Sequence, residues 1–162
     1  MTDIILTPLG PEFSDEYFAA FDDSVTRYQA AEPFENRAAC AEYLSCLKEQ
    51  NASGLALAFA IVSDGSFCGS IEAHGLWTPI PDIGIWLKTG CRGHGIAQEA
   101  LRLLSEKLHA LGFTRFFYET DARNEPSLRL VRKLRSRPVS YVPEPLVTKA
   151  GKQLRLIRFI VF

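Results

Sequence analysis

The segment Thr89-Gly90-Cys91-Arg92-Gly93-His94-Gly95-Ile96-Ala97 combines residue types and a spacing suited to gripping an anion. Two glycines in a strand-to-helix turn let the backbone pass close to a ligand with no Cβ in the way. The helix that follows offers unpaired N–H groups and a positive dipole end, worth about 0.3–1 kcal/mol for a well-placed anion. Arg92 adds a permanent charge and His94 a donor. Together they read as a cradle for phosphate or pyrophosphate; a turn whose glycines serve geometry alone is the plain alternative. A P-loop is excluded, because no Lys-Ser or Lys-Thr follows the glycines. A dinucleotide fingerprint fits Gly93 and Gly95 but meets Gln98 where its third small residue belongs. Glu119 and Asp121 lie near the distance of its ribose-binding acid, so it stays the second reading.

Carboxylates are the next candidates. Glu72 stands in a run of apolar and small residues, Gly69-Ser70-Ile71-Glu72-Ala73, where a carboxylate suggests a general base; a sheet face turned to solvent would also explain it. Asp82 opens the following strand, as a second candidate base or as the cap of a turn. Cys91 adjoins the anion turn, but a covalent route needs a base partner and none is apparent. The four cysteines, Cys40, Cys46, Cys68 and Cys91, form no C-x-x-C pair and read as free thiols. His74, His94 and His109 show no metal-ligand spacing, so no metal is expected.

Periodicity supplies the elements that must position these groups. Ile4-Ile5-Leu6, closed by Thr7-Pro8-Leu9-Gly10-Pro11, reads as a first strand. Ser14 is expected to cap a helix carrying Tyr17, Phe18 and Phe21. Tyr28 to Phe34 reads as loop, and a second helix runs from near Arg37 to Lys48 with Cys40, Tyr43, Leu44 and Leu47 on one side. Leu55–Val62, the turn Ser63-Asp64-Gly65, Phe67–His74 and Asp82–Lys88 read as a three-strand antiparallel meander. Gly84, inside its last strand, is expected to mark a bulge or a close backbone approach. From Ile96 to Leu111 a helical stripe of Ala97, Leu101, Leu104, Leu108 and Leu111 ends at Gly112. A strand over Phe113–Thr120 follows. A helix then opens at Asn124-Glu125-Pro126, with Leu128, Val131 and Leu134 on its apolar side. Strands at Val139–Val142 and Leu154–Val161 close a mixed α/β, or α+β, order.

Composition narrows the class. The chain is 47% hydrophobic and 23% charged, with 18 Lys+Arg against 19 Asp+Glu. That suits a globular protein, is too apolar for disorder, and fits one domain over residues 1–162. A net charge of -1 provides no global attraction for nucleic acid or anionic lipid. No run of about 18 apolar residues would span a membrane. An acid at Asp3 and no basic region before an apolar run argue against a secretory leader, which points to the cytoplasm.

Arg92-Gly93-His94-Gly95-Ile96-Ala97 matches the Q/R-x-x-G-x-G/A signature of the GCN5-related N-acetyltransferase (GNAT) superfamily. Asp82-Ile83-Gly84-Ile85-Trp86-Leu87 is similar to the strand that precedes the signature in its RimJ/RimL-like branch. Arg123-Asn124-Glu125-Pro126-Ser127 through Leu134 resembles that branch's Asn-x-x-Ser helix. The resemblance is firm from about Phe67 to Leu134. It implies a GNAT-like fold: a central, mostly antiparallel twisted sheet with a splayed parallel strand pair, flanked by about four helices. It implies acetyl-CoA as co-substrate, with no metal. The acetyl group would pass directly, in a ternary complex, to a primary amine on a small molecule or a peptide N-terminus. Backbone at Ile85, Trp86 and Leu87 would hold the pantetheine arm. Arg92, Gly93, His94, Gly95, Ile96 and Ala97 would hold the pyrophosphate, with Gln98 beginning the helix. Asn124 would contact the cofactor and Ser127 would sit near the thioester sulfur as the acid, because Val131 occupies the position where many relatives carry Tyr. A homodimer is compatible with this reading, and nucleic acid and membrane are not expected as partners. Tyr28, Gln29, Phe34 and Trp77 are candidates for the acceptor pocket. A CoA-binding module that has lost transfer is the non-enzymatic alternative.

Overall fold

The computed structural model describes residues 3–141 and 144–162. Val142, the expected end of one closing strand, lies outside them. Among the described residues nine strands form: β1 Ile4–Pro8, β2 Ala56–Ser63, β3 Ser66–His74, β4 Asp82–Leu87, β5 Phe116–Asp121, β6 Ser136–Tyr141, β7 Leu146–Val147, β8 Gln153–Leu154 and β9 Leu156–Val161. Seven of them make one sheet in the order β1-β2-β3-β4-β5-β9-β6, and β7 and β8 pair as a separate hairpin. Every pairing in the large sheet is antiparallel except that of β4 with β5. Among the described residues five α-helices flank it where about four were expected: α1 Ser14–Ala20, α2 Asp23–Thr26, α3 Arg37–Ser53, α4 Ile96–Ala110 and α5 Glu125–Arg132. The unexpected one is α2, a single turn whose first amides are capped by the Asp22 side chain.

The sheet buries both faces. On one, Tyr17, Phe21, Cys40, Leu44 and Leu47 pack on Phe67 and Trp86. On the other, Ile96, Leu101, Leu104 and Leu108 of α4 and Leu128 and Val131 of α5 cover Ile61, Ile71, Ile83, Phe116 and Tyr118. The expected α4 stripe shifts slightly: Ala97 is half-buried and Leu111 is 58% exposed, while Ile96 and Ala100 face inward. The β2–β3 hairpin turns through Asp64 (φ 48) and Gly65 (φ 78), a left-handed pair whose twist matches the strands it joins.

Several local expectations are corrected. Ser14 is the first residue of α1, behind a 3-10 turn at Pro11–Phe13, and no side chain caps that helix. The well-capped helix is α3, where Asn36 accepts from the Ala39 amide at 2.9 Å. It runs on to Ser53 because no breaker intervenes before Gly54 (φ 72). The bulge falls between Ile61 and Val62, not at Gly84. The close approach is at Gly69, where a Cβ would run into the Trp86 carbonyl. The expected strand Leu154–Val161 divides at Arg155, whose amide leaves the ladder to donate to Asp121 at 2.8 Å. A single parallel pair within an antiparallel order is not a doubly wound nucleotide-binding sheet. Asp121 is fully buried, with its oxygens bound by Arg123 and the Arg155 amide, so it is no free ribose acid. The dinucleotide reading falls on both counts.

Candidate active site

The parallel ladder between β4 and β5 stops after two steps, Asp82↔Phe117 and Ile83↔Tyr118. Beyond Ile83 the two strands part. Polar groups alternate along a strand: Lys88 donates to Cys68 on the β3 side, and Pro81 accepts from Phe117 on the β5 side. The same alternation turns Ile85 and Leu87 toward the parting. Trp86 faces the other way, in the ladder opposite Ser70, with its ring in the core and its indole N–H donating to the Tyr17 hydroxyl at 3.2 Å. Of the three residues expected to present backbone, Ile85 and Leu87 therefore present it to the gap and Trp86 does not.

The parting leads to the anion turn. Gly93 (φ 83) and Gly95 (φ 78) are left-handed, and a Cβ on either would meet nothing within 4 Å. Gly95 serves as the N-cap of α4 with no side chain capping it. Among the described residues, none of the amides from Gly93 to Gln98 has a protein acceptor. The turn thus offers a row of open N–H groups beneath open space, which suits a pyrophosphate. Arg92 is committed differently from expectation. Its Nε donates to the Leu87 carbonyl at 3.0 Å and its Nη2 to the Ser24 carbonyl at 3.3 Å, bracing the turn against β4 and α2. His94 and Gln98 are exposed, and Ile96 is buried as a core anchor while its amide faces out. Cys91 is buried beneath the turn. Its neighbour Cys68 is pushed up to about 11 by burial and by its bond to Cys91, so Cys68 is no thiolate at neutral pH.

A cavity of about 320 Å³ opens in the parting, and Gly84, Ile85, Tyr118, Asn124, Ser127 and Glu72 are on its walls. Glu72 is 9% exposed. It accepts from the Ser70 hydroxyl at 3.0 Å and from Tyr43 at 3.5 Å, and pairs with His74 Nε2 at 2.8 Å. The bond to Glu72 raises the His74 pKa, against the opposing effect of burial, with help from the charges of Glu72 and Asp82. Burial and the nearby Glu72 charge hold Tyr17 and Tyr43 well above the ordinary phenol range, so both are donors. Asp82 does not line the cavity; its Oδ1 accepts from Arg158 Nη2 at 2.8 Å.

Ser127 is on the wall at the start of α5, its hydroxyl 2.8 Å from that of Tyr118. Asn124 caps that helix, accepting from the Ser127 amide at 3.4 Å, and so fixes where Ser127 points. Tyr118 escaped the sequence reading. Its only signal was a phenol at an inward strand position, which needs a partner for its hydroxyl. Tyr28 and Gln29 line the cavity as expected. Phe34 instead packs on Tyr17, Phe21 and Tyr43, and Trp77 is 74% exposed and away from the cavity. Among the described residues no cluster of His, Cys, Asp or Glu could hold a metal, and no helix is long and apolar enough to cross a membrane.

A family model described as an acetyltransferase (GNAT) domain matches residues 3–137. No curated protein matches the sequence. The fold is similar to that of the microcin self-immunity acetyltransferase MccE, solved with acetyl-CoA and AMP, at TM-score 0.87 and 16% identity over 99% of this chain and 93% of that one. It is similar to a Salmonella typhimurium acetyltransferase that modifies the N-terminal serine of a ribosomal protein, at TM-score 0.86 and 13% identity over 98% and 95%. A third likeness is to Mycobacterium smegmatis RimJ in complex with a CoA disulfide, at TM-score 0.84 and 19% identity over 98% and 81%.

Proposed function

Because the chain belongs to the acetyltransferase (GNAT) family, we propose that it acetylates a primary amine by direct transfer in the cavity between β4 and β5. It is an acetyl-CoA-dependent N-acetyltransferase. The amides of Gly93–Gln98 would take the pyrophosphate, and the backbone groups of Ile85 and the N–H of Leu87, whose carbonyl is held by Arg92, the pantetheine arm. The observation that carries this reading is the early end of the β4–β5 ladder, which leaves strand backbone open in line with the open turn.

Within that frame each group has a task. Glu72 accepts a proton from the ammonium, because only the free amine has a lone pair to attack with. The amine nitrogen then bonds the acetyl carbon while the carbon–sulfur bond breaks. The Leu87 N–H faces the gap where the carbonyl oxygen gains charge. Ser127 gives its proton to the departing thiolate and takes one from the Tyr118 hydroxyl, which is refilled, by way of solvent, by the second proton the nitrogen sheds as it becomes an amide. We place the chain in the RimJ/RimL-like branch, as one domain acting in the cytoplasm on a small-molecule amine or a peptide N-terminus. The test is release of CoA thiol from acetyl-CoA across a panel of both kinds of amine. Amine-dependent release is expected, together with a rise in melting temperature with acetyl-CoA. Absence of both overturns the reading.

A further inference from the structure

On the same sheet face as Glu72, the register aligns three residues in one row. Glu72 on β3 is paired with Gly84 on β4, and Glu119 on β5 is the residue after the last parallel step, Ile83↔Tyr118. Two carboxylates thus flank a strand position that has no side chain. All three residues line the cavity, and Gly84 is exposed, with nothing within 4 Å of where a Cβ would stand. Its backbone needs no glycine, because its φ is not positive. The missing side chain therefore answers no demand of the fold, only one of space. Resting on the transfer reading above, we propose that this is the acceptor seat. The ammonium of a small amine with an uncharged, apolar body sits over Gly84 between Glu72 and Glu119.

Charge and lining both support that class. Among the described residues, Glu72 and Glu119 are the only charged ones on the cavity wall; the remainder is mainly Tyr17, Phe21, Tyr28, Tyr43 and aliphatic side chains. Aromatic faces attract a cation and accept an apolar body. Around the row stand three carboxylates, Glu72, Asp82 and Glu119, against Arg158 and His74. Arg158 serves two of the acids, at 2.8 Å from Asp82 and 3.4 Å from Glu119, and it stacks on Phe117 with 4.5 Å to the ring centroid. The site keeps surplus negative charge whether or not His74 is protonated. Arg27 and Arg123 lie over the Tyr28 ring and do not line the cavity. An acceptor with a carboxylate beside its amine would meet two acids and no free cation.

The experiment pairs amines with their α-carboxylate counterparts: 2-phenylethylamine with phenylalanine, tyramine with tyrosine, and 3-methylbutylamine with leucine. CoA release is followed in the wild type, Gly84→Ala and Glu119→Gln. The bare amines are expected to exceed their amino acids at least tenfold in kcat/KM. Gly84→Ala should keep its melting temperature and its acetyl-CoA Kd while the KM for the amine rises severalfold. Glu119→Gln should raise the same KM and narrow the discrimination. Amino acids turned over as well as the amines, or an unchanged amine KM in Gly84→Ala, would overturn the seat and leave acetyl transfer standing. No thiol release with any amine of a wider panel would bring down both.

Discussion

In the proposed transfer, the role of Ser127 as acid depends on its 2.8 Å contact with the Tyr118 hydroxyl. Burial lifts the Tyr118 phenol above its ordinary range, against the opposing bond to Ser127, so it stays protonated and can resupply the serine. The two should act as a unit. Ser127→Ala is expected to lower kcat by roughly 10²-fold, with Tyr118→Phe costing less. The double variant should be no worse than Ser127→Ala alone, and the acetyl-CoA Kd should stay unchanged in all three. Fully additive losses would show that the pair does not share one proton. Resemblance to a known helix made Ser127 readable from sequence. Tyr118 was not, because alternation along Phe116-Phe117-Tyr118 says only which way each ring points.

The cavity wall is held at the scale of elements. Lys152, in the turn of the β7–β8 hairpin, donates to the carbonyls of Gln29 at 2.8 Å, Thr26 at 2.9 Å and Ala31 at 3.0 Å, and pairs with Glu32 at 2.8 Å. One ammonium thereby ties the hairpin to the loop carrying Tyr28 and Gln29, and both segments wall the cavity. Lys152→Met keeps the aliphatic stem and removes the bonds. The acceptor KM should rise severalfold and amide exchange across residues 26–32 should quicken, with acetyl-CoA affinity unaltered. Unchanged exchange would count against the clasp. The short hairpin was invisible to periodicity, since two-residue strands carry too little pattern. The long elements α3, α4 and the β2–β3–β4 meander were legible because their periods extend over several turns or residues.

Across the whole molecule, Asp121 joins the end of β5 to the start of β9. Burial pushes its carboxyl upward, but bonds from the Arg123 side chain, the Arg123 amide and the Arg155 amide outweigh that and hold it down at about 2. A carboxylate depressed on folding contributes stability that is present above its unfolded pKa, near 3.9, and is lost as pH falls toward the folded value. The contribution is roughly 2 kcal/mol at neutral pH. Asp121→Asn should therefore lower the melting temperature at pH 7, and the gap from wild type should close as pH approaches about 2. A gap that persists at the lower pH would show that the charge is not the cause. The order of the long elements, the anion turn and the family were determined by the sequence alone, because hydrophobic period, turn glycines and a six-residue signature are local properties. Which carboxylate enters the cavity, which serine meets which phenol, and which amides stay open were decided only by the tertiary structure. Those outcomes depend on where β5 leaves β4, and that parting arises from packing between residues far apart in the chain.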